Sequence, residues 1–121
     1  VLTGGTGEDV LIGGSGAEVM SGQSQADVFR FVSADDAGMG AAADTIIDFK
    51  SGTDVIDLSR LSDLQFSFQR GGELSGLDPM AIFKVRDDGI RVVVDVDADG
   101  VADMRINLLG IESVTINDFI L

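Results

Sequence analysis

The chain has 121 residues, 45% of them hydrophobic, and a formal net charge of −13 from 21 acidic and 8 basic residues. That is enough apolar material for one folded domain, and an acidic surface that attracts cations and repels nucleic acid and anionic lipid. Cys, His, Trp and Tyr are all absent, which excludes disulfides, thiolate chemistry, imidazole-bound metal and a His general base; no apolar run approaches the roughly 20 residues of a membrane span.

From the first residue a nine-residue period governs the chain. Gly4, Gly13 and Gly22 are nine apart, as are Asp9, Glu18 and Asp27, and so are Val1, Val10, Val19 and Val28, and Leu2, Leu11, Met20 and Phe29. A flexible Gly-rich linker has no reason to keep four positional classes in one register. The first six positions of each block form a tight turn, because Gly tolerates positive φ. The last three form a minimal strand whose middle residue points inward. Two blocks make one flattened coil, and the next coil stacks on it at strand spacing, about 4.8 Å. Turns two repeats apart then lie above one another, with carbonyls and carboxylates facing a shared gap. Such a gap suits Ca²⁺, a hard ion that takes about six to eight oxygens at about 2.4 Å. Val1-Leu2-Thr3 reads as the tail of a block, so the array is expected to begin upstream.

These blocks resemble the RTX nonapeptide, Gly-Gly-x-Gly-x-Asp-x-U-x, of the parallel β-roll. The resemblance implies that one ion takes positions two, four and six of one repeat and positions one, three and six of the repeat two further on. Carried onto this chain, Gly5, Gly7 and Asp9 join Gly22, Ser24 and Asp27 in one complete site. Gln23 and Gln25 replace the usual glycines. They spoil the third block as the lower half of another site, but not as the upper half of this one. Gly13, Ser15 and Glu18 would pair with a repeat upstream. Gly14, Gly16 and Glu18 would face residues 31–36, where Ser33 and Asp36 fall in register. Glu18 stands where Asp is usual, and its extra methylene moves the carboxylate outward.

Beyond the strand-like Phe29-Arg30-Phe31, residues 33–43 read as a loop, Asp44 to Phe49 as a strand, Lys50 to Asp54 as a turn and Val55 to Leu58 as a second strand. Ser59 to Leu64 is expected to form a brief helical turn capped by Ser59. Further short strands fall at 65–69, 81–86, 90–96 and 102–109, and a turn near Thr115 precedes an apolar tail. The stretch 44–59 is similar to the segment that follows the RTX repeats in serralysin-type secreted metallopeptidases, and it resembles the repeat modules of bacterial alginate epimerases. That likeness implies a β-sandwich cap on the end of the roll. Asp48 and Asp54 would there complete the last calcium sites, or else be solvated acids of a polar hairpin; for Asp57 solvation is expected. Asp95-Val96-Asp97-Ala98-Asp99-Gly100, with Asp103, imitates an EF-hand loop, but position twelve is Ile106 and both flanks read as strands. An EF-hand needs a bidentate Glu there and flanking helices, so an Asp-Gly hairpin turn is the simpler reading. Asp118-Phe119-Ile120-Leu121 resembles the terminal motif of substrates of bacterial type I (ABC) exporters, and would equally serve as a closing edge strand.

The expected architecture is therefore all-β. A parallel β-roll of RTX repeats spans 1–32, and a β-sandwich-like C-terminal cap with a terminal secretion signal spans 33–121, in one continuous unit. The resemblance implies a non-catalytic, calcium-binding module of a secreted, extracellular bacterial enzyme, expected to be a serralysin-like zinc metallopeptidase. Its partners would be the upstream catalytic domain and the exporter; no nucleic acid, membrane insertion or self-association is expected. The alternative is an accessory module that binds a polysaccharide such as alginate, which would need Arg30, Lys50, Arg60 and Arg70 clustered on one face.

Overall fold

The computed structural model describes residues 2–33 and 43–121. Its first six strands are two or three residues long: β1 (Leu2–Thr3), β2 (Val10–Leu11), β3 (Val19–Ser21), β4 (Val28–Arg30), β5 (Asp44–Ile46) and β6 (Val55–Asp57). Odd strands stack in parallel in one sheet and even strands in a second. The register is that of the nine-residue period, doubled: Leu2 lies beside Met20 and Leu11 beside Phe29. The same stacking then crosses the longer loop, placing Met20 beside Ile46 and Phe29 beside Ile56. Alternation along each strand turns the middle residue inward, and Leu11, Met20, Phe29, Ile46 and Ile56 are all buried. Val10 and Val19, one position earlier, face solvent.

Five further strands complete the fold: β7 (Ser67–Arg70), β8 (Met80–Arg86), β9 (Gly89–Asp95), β10 (Met104–Leu109) and β11 (Phe119–Ile120). They form no separate sheet. β10 pairs in parallel with β5, so β10, β9, β8 and β7 extend the odd-strand sheet. β11 pairs in parallel with β6 and extends the even-strand sheet. Each inward column of the roll therefore continues into the cap: Ile46 lies beside Leu108, and Ile56 beside Phe119. Phe68 joins the two sheets, with its ring 5.4 Å from that of Phe83 and 4.8 Å from that of Phe119. The fold is all-β, a parallel β-roll continued by a sandwich-like pair of sheets.

Two local expectations differ from the structure. The strand from Asp44 stops at Ile46, because Asp48 turns back to bind the backbone of the preceding coil. Residues 59–64 form turns and no helix. The Ser59 hydroxyl, which a helix would need as its cap, donates instead to Asp57 Oδ1 at 2.6 Å.

Candidate metal centre

The turns of the first and third blocks lie one above the other, between β1 and β2 and between β3 and β4. Gly5 and Gly7 take φ of 97° and 97°, a region costly for a residue with a Cβ. Above them Gln23 and Gln25 adopt φ of 69° and 76°. The third block thus keeps the turn conformation despite its side chains, at a cost of about 1–2 kcal/mol per residue. Gln25 recovers part of it, since its Oε1 accepts the Gly7 N–H at 2.5 Å. Gln23 makes no such contact through its side chain among the described residues. Gln23→Gly is accordingly expected to stabilise the fold by about 0.5–1 kcal/mol, read as a higher urea midpoint; an unchanged or lower midpoint would show the strain to be absent.

The carboxylates at position six form a ladder. The Asp9 N–H donates to Asp27 Oδ1 at 3.0 Å, and the Asp27 N–H donates to Asp54 Oδ1 at 3.1 Å. Asp27 and Asp54 thereby each spend one oxygen on the coil before them. The other oxygens of Asp9 and Asp27, both Oδ2, are buried and accept no hydrogen bond. These atoms curl back over position one of their own blocks. A Cβ on Gly4 would stand 2.8 Å from Asp9 Oδ2 and 3.1 Å from the Gly22 carbonyl oxygen. A Cβ on Gly22 would stand 2.2 Å from Asp27 Oδ2. Position one is Gly for lack of room, whereas positions two and four are Gly for backbone angle. Burying an uncompensated carboxylate oxygen is expensive, and the two stacked turns each bury one. Hard, anionic oxygens with nearby carbonyls are a donor set for Ca²⁺, so the residues present fit the ion.

On the opposite side of the roll, Gly13, Gly14, Ser15, Gly16 and Glu18 form the turn between β2 and β3, with Gly14 and Gly16 at φ of 79° and 99°. Asp36, expected above Glu18, lies outside the described residues. Asp44 takes the position-six place there: its Oδ1 accepts the Glu18 N–H at 2.8 Å, and the Thr45 N–H donates to the Glu18 carbonyl at 2.9 Å. Nine-residue arithmetic fails because Met20 and Ile46 are 26 residues apart instead of 18. A signal was nevertheless present. An acid, a β-branched residue and an apolar residue recur at Asp9-Val10-Leu11, Glu18-Val19-Met20, Asp27-Val28-Phe29, Asp44-Thr45-Ile46 and Asp54-Val55-Ile56.

Asp48 and Asp54 sit over the third block's turn. Asp48 accepts the Gly22 and Gln23 N–H groups and the Ser21 hydroxyl. Asp54 accepts the Asp27 N–H through one oxygen and the Lys50 N–H through the other, at 2.9 Å. Burial pushes the Asp54 carboxyl above its ordinary value against those two N–H groups, and the charges of Asp27 and Asp48 add to the rise. Both acids thus already satisfy backbone donors.

Asp57 is buried, not solvated. Burial alone would raise its pKa, but the Ser59 hydroxyl and N–H, and Arg30 at 3.0 Å, hold it below its ordinary value. A lowered folded-state pKa means that the contribution is complete above about pH 4 and is lost as pH falls through the folded value. Asp57→Asn is expected to cost about 1–3 kcal/mol at neutral pH and progressively less below about pH 4. Urea melts across that range check it, and an equal loss at every pH would rule out the charge as the cause.

At the β9–β10 tip, ligand oxygens of Asp95, Asp97, Asp99 and Asp103 come within 4.8 Å of one another, close enough to share a cation. Much of their capacity is spent locally. Asp95 accepts the Asp99 and Gly100 N–H groups, and Asp103 accepts the Val96 N–H at 2.7 Å. The flanks are strands and Ile106 is buried in β10, so the loop is a hairpin turn and no EF-hand.

Comparison with known proteins agrees with this architecture. The family model described as peptidase M10 serralysin C terminal matches residues 2–121. The chain is similar to the solution structure of the AlgE6R3 subunit from the Azotobacter vinelandii mannuronan C5-epimerase, at 29% identity and a TM-score of 0.65. The match covers 98% of this chain and 66% of that one, so the chain spans somewhat less than two thirds of its neighbour's length. No curated protein matches it.

Proposed function

The chain belongs to the peptidase M10 serralysin C-terminal family, and from that premise we propose that it is a non-catalytic, calcium-binding module whose folding is coupled to the ion. The observation that carries this reading is the pair of buried carboxylate oxygens, Asp9 Oδ2 and Asp27 Oδ2, each left without a hydrogen bond in one of two stacked turns. Asp9 and Asp27 would hold the ion together with carbonyls of Gly5, Gly7, Gly22 and Ser24. When bound, calcium neutralises carboxylates that the fold stacks within hydrogen-bond distance of each other's backbone.

The strands of the roll bury one column of side chains each, so the ion's binding energy becomes folding energy. Extracellular modules typically bind calcium with Kd of about 10⁻⁴–10⁻³ M. In the cytosol, where calcium is scarce, the chain stays loose; outside, it folds. The reading extends to a larger secreted bacterial enzyme, a serralysin-like zinc metallopeptidase, exported by a type I system that recognises Asp118–Leu121. In the folded chain Asp118 and Phe119 are buried, so such an exporter would meet this motif in the unfolded chain. Circular dichroism with chelator, then with millimolar calcium, tests the central claim. A gain of β-structure is expected, and an unchanged spectrum would end the coupled-folding reading. The polysaccharide alternative loses one of its four nominated cations, since Arg30 is bound by Asp57.

A further inference from the structure

The turn of the third block is held from above. Asp48 accepts its Gly22 and Gln23 N–H groups, and Asp54 accepts the Asp27 N–H. The turn of the first block is joined to it from below at its two ends. At the start the Gly4 N–H donates to the Ser21 carbonyl at 2.8 Å. At the end the Asp9 N–H donates to Asp27 Oδ1, and the Val28 N–H to the Asp9 carbonyl. Between those ends, among the described residues, one hydrogen bond joins the two turns, from the Gly7 N–H to Gln25 Oε1. A side chain makes it, at a position where the RTX pattern has glycine and could make none. Gln25 holds a φ of 76° while doing so, a region that penalises any residue with a Cβ. Its side chain is exposed, and one such bond adds little net stability. The strained glutamine is therefore not explained by stability alone.

We propose that Gln25 is a positioning residue that sets the spacing of the two turns, and with it the size of cation they accept. The proposal rests on the calcium reading above and adds a residue outside the oxygen set named there. Selectivity among hard cations follows cavity size and the flexibility of the ligands. Gly5 and Gly7 lie on a glycine turn whose backbone is free to readjust. Without a clasp, the middle of that turn can part from the block above to suit a larger ion. The 2.5 Å bond from Gly7 to Gln25 resists this, because the turns cannot part there without breaking it. Calcium keeps the bond and a larger dication loses it. The net worth of one hydrogen bond is equivalent to about two- to tenfold in affinity, and that is the discrimination Gln25 supplies. Gln23 is the internal contrast. It holds a similar φ of 69°, but its side chain makes no contact of this kind among the described residues, so it supplies none.

The test is folding of the chain titrated with calcium and, separately, with strontium, a larger dication, followed by circular dichroism. In the parent the strontium midpoint should lie above the calcium midpoint. Gln25→Met keeps the Cβ and the reach but cannot accept the Gly7 N–H. Gln25→Gly also lacks the acceptor, and it relieves the backbone strain. In both variants the ratio of strontium to calcium midpoints should fall about two- to tenfold. A change in fold stability alone moves both midpoints by one factor, so a merely structural role leaves the ratio unmoved. Gln23→Met should leave it unmoved as well. Hydrogen exchange of the Gly7 amide in the calcium-loaded chain is the second readout, slow in the parent and at least several-fold faster in both Gln25 variants. A parent that does not discriminate between the ions, a ratio retained in either Gln25 variant, or Gly7 exchange as fast in the parent as in the variants would each overturn the proposal. If calcium folds the chain and the ratio does not move, the role of Gln25 falls alone; if calcium does not fold it, the calcium reading falls and takes that role with it.

Discussion

Asp27→Ala is expected to raise the calcium midpoint of folding by on the order of a hundredfold, equivalent to about 2.7 kcal/mol. Asp27 is 1% exposed and has a separate use for each oxygen. Its Oδ1 accepts the Asp9 N–H, a charge-assisted bond of about 1.5–3 kcal/mol. Its Oδ2 is buried without a donor and is one of the two carboxylate oxygens proposed to hold the ion. Alanine removes both at once and leaves the Asp9 N–H unsatisfied. Glu8→Ala is the control, since it deletes the same charge from an exposed neighbour of Asp9 and should barely move the midpoint. A calcium titration followed by circular dichroism reads both variants. Coincident midpoints would mean that net charge, and not a built site, governs the response.

Asp118→Ala and Phe119→Ala are expected each to cost about 3–5 kcal/mol in saturating calcium, the range of a large core truncation. Asp118 is 1% exposed and accepts the Ser51 hydroxyl, the Gly52 N–H and the Thr115 N–H, at 2.6, 2.8 and 2.9 Å. It ties the last turn to the one between β5 and β6. Phe119 continues the inward column above Ile56 and packs on Phe68. Ile120, 44% exposed, is the contrasting case, and Ile120→Ala should stay within about 0.5–1 kcal/mol. Denaturant melts separate these outcomes. If Phe119→Ala melts like Ile120→Ala, the tail contributes nothing to the sheet and serves recognition alone.

Part of the site was legible because the repeat is strictly local. Gly5, Gly7 and Asp9 stack on the block carrying Gly22, Ser24 and Asp27, as the period required, since two blocks close one coil and 18 residues return the chain to the same place. Glu18 illustrates the limit. Its partner Asp44 stands beyond a loop of irregular length, and a period cannot be counted through such a loop. Asp57 illustrates another. It reads as one more acid in an acidic chain, but Arg30 approaches it from the coil below, one stacked strand away.

The sequence alone determined the repeating coil, because turn chemistry and strand alternation act over a few residues and the period repeats them in register. It also determined that the core columns are made of Leu2, Leu11, Met20 and Phe29, one per block and two per coil. Only the tertiary structure decided which carboxylate oxygens are left without donors, since that depends on which backbone N–H groups the neighbouring coil presents. It alone brought Arg91, Arg105 and Arg86 to one face. Antiparallel pairing of β8, β9 and β10 sets residues distant in sequence side by side, and no periodicity in the chain announces that register.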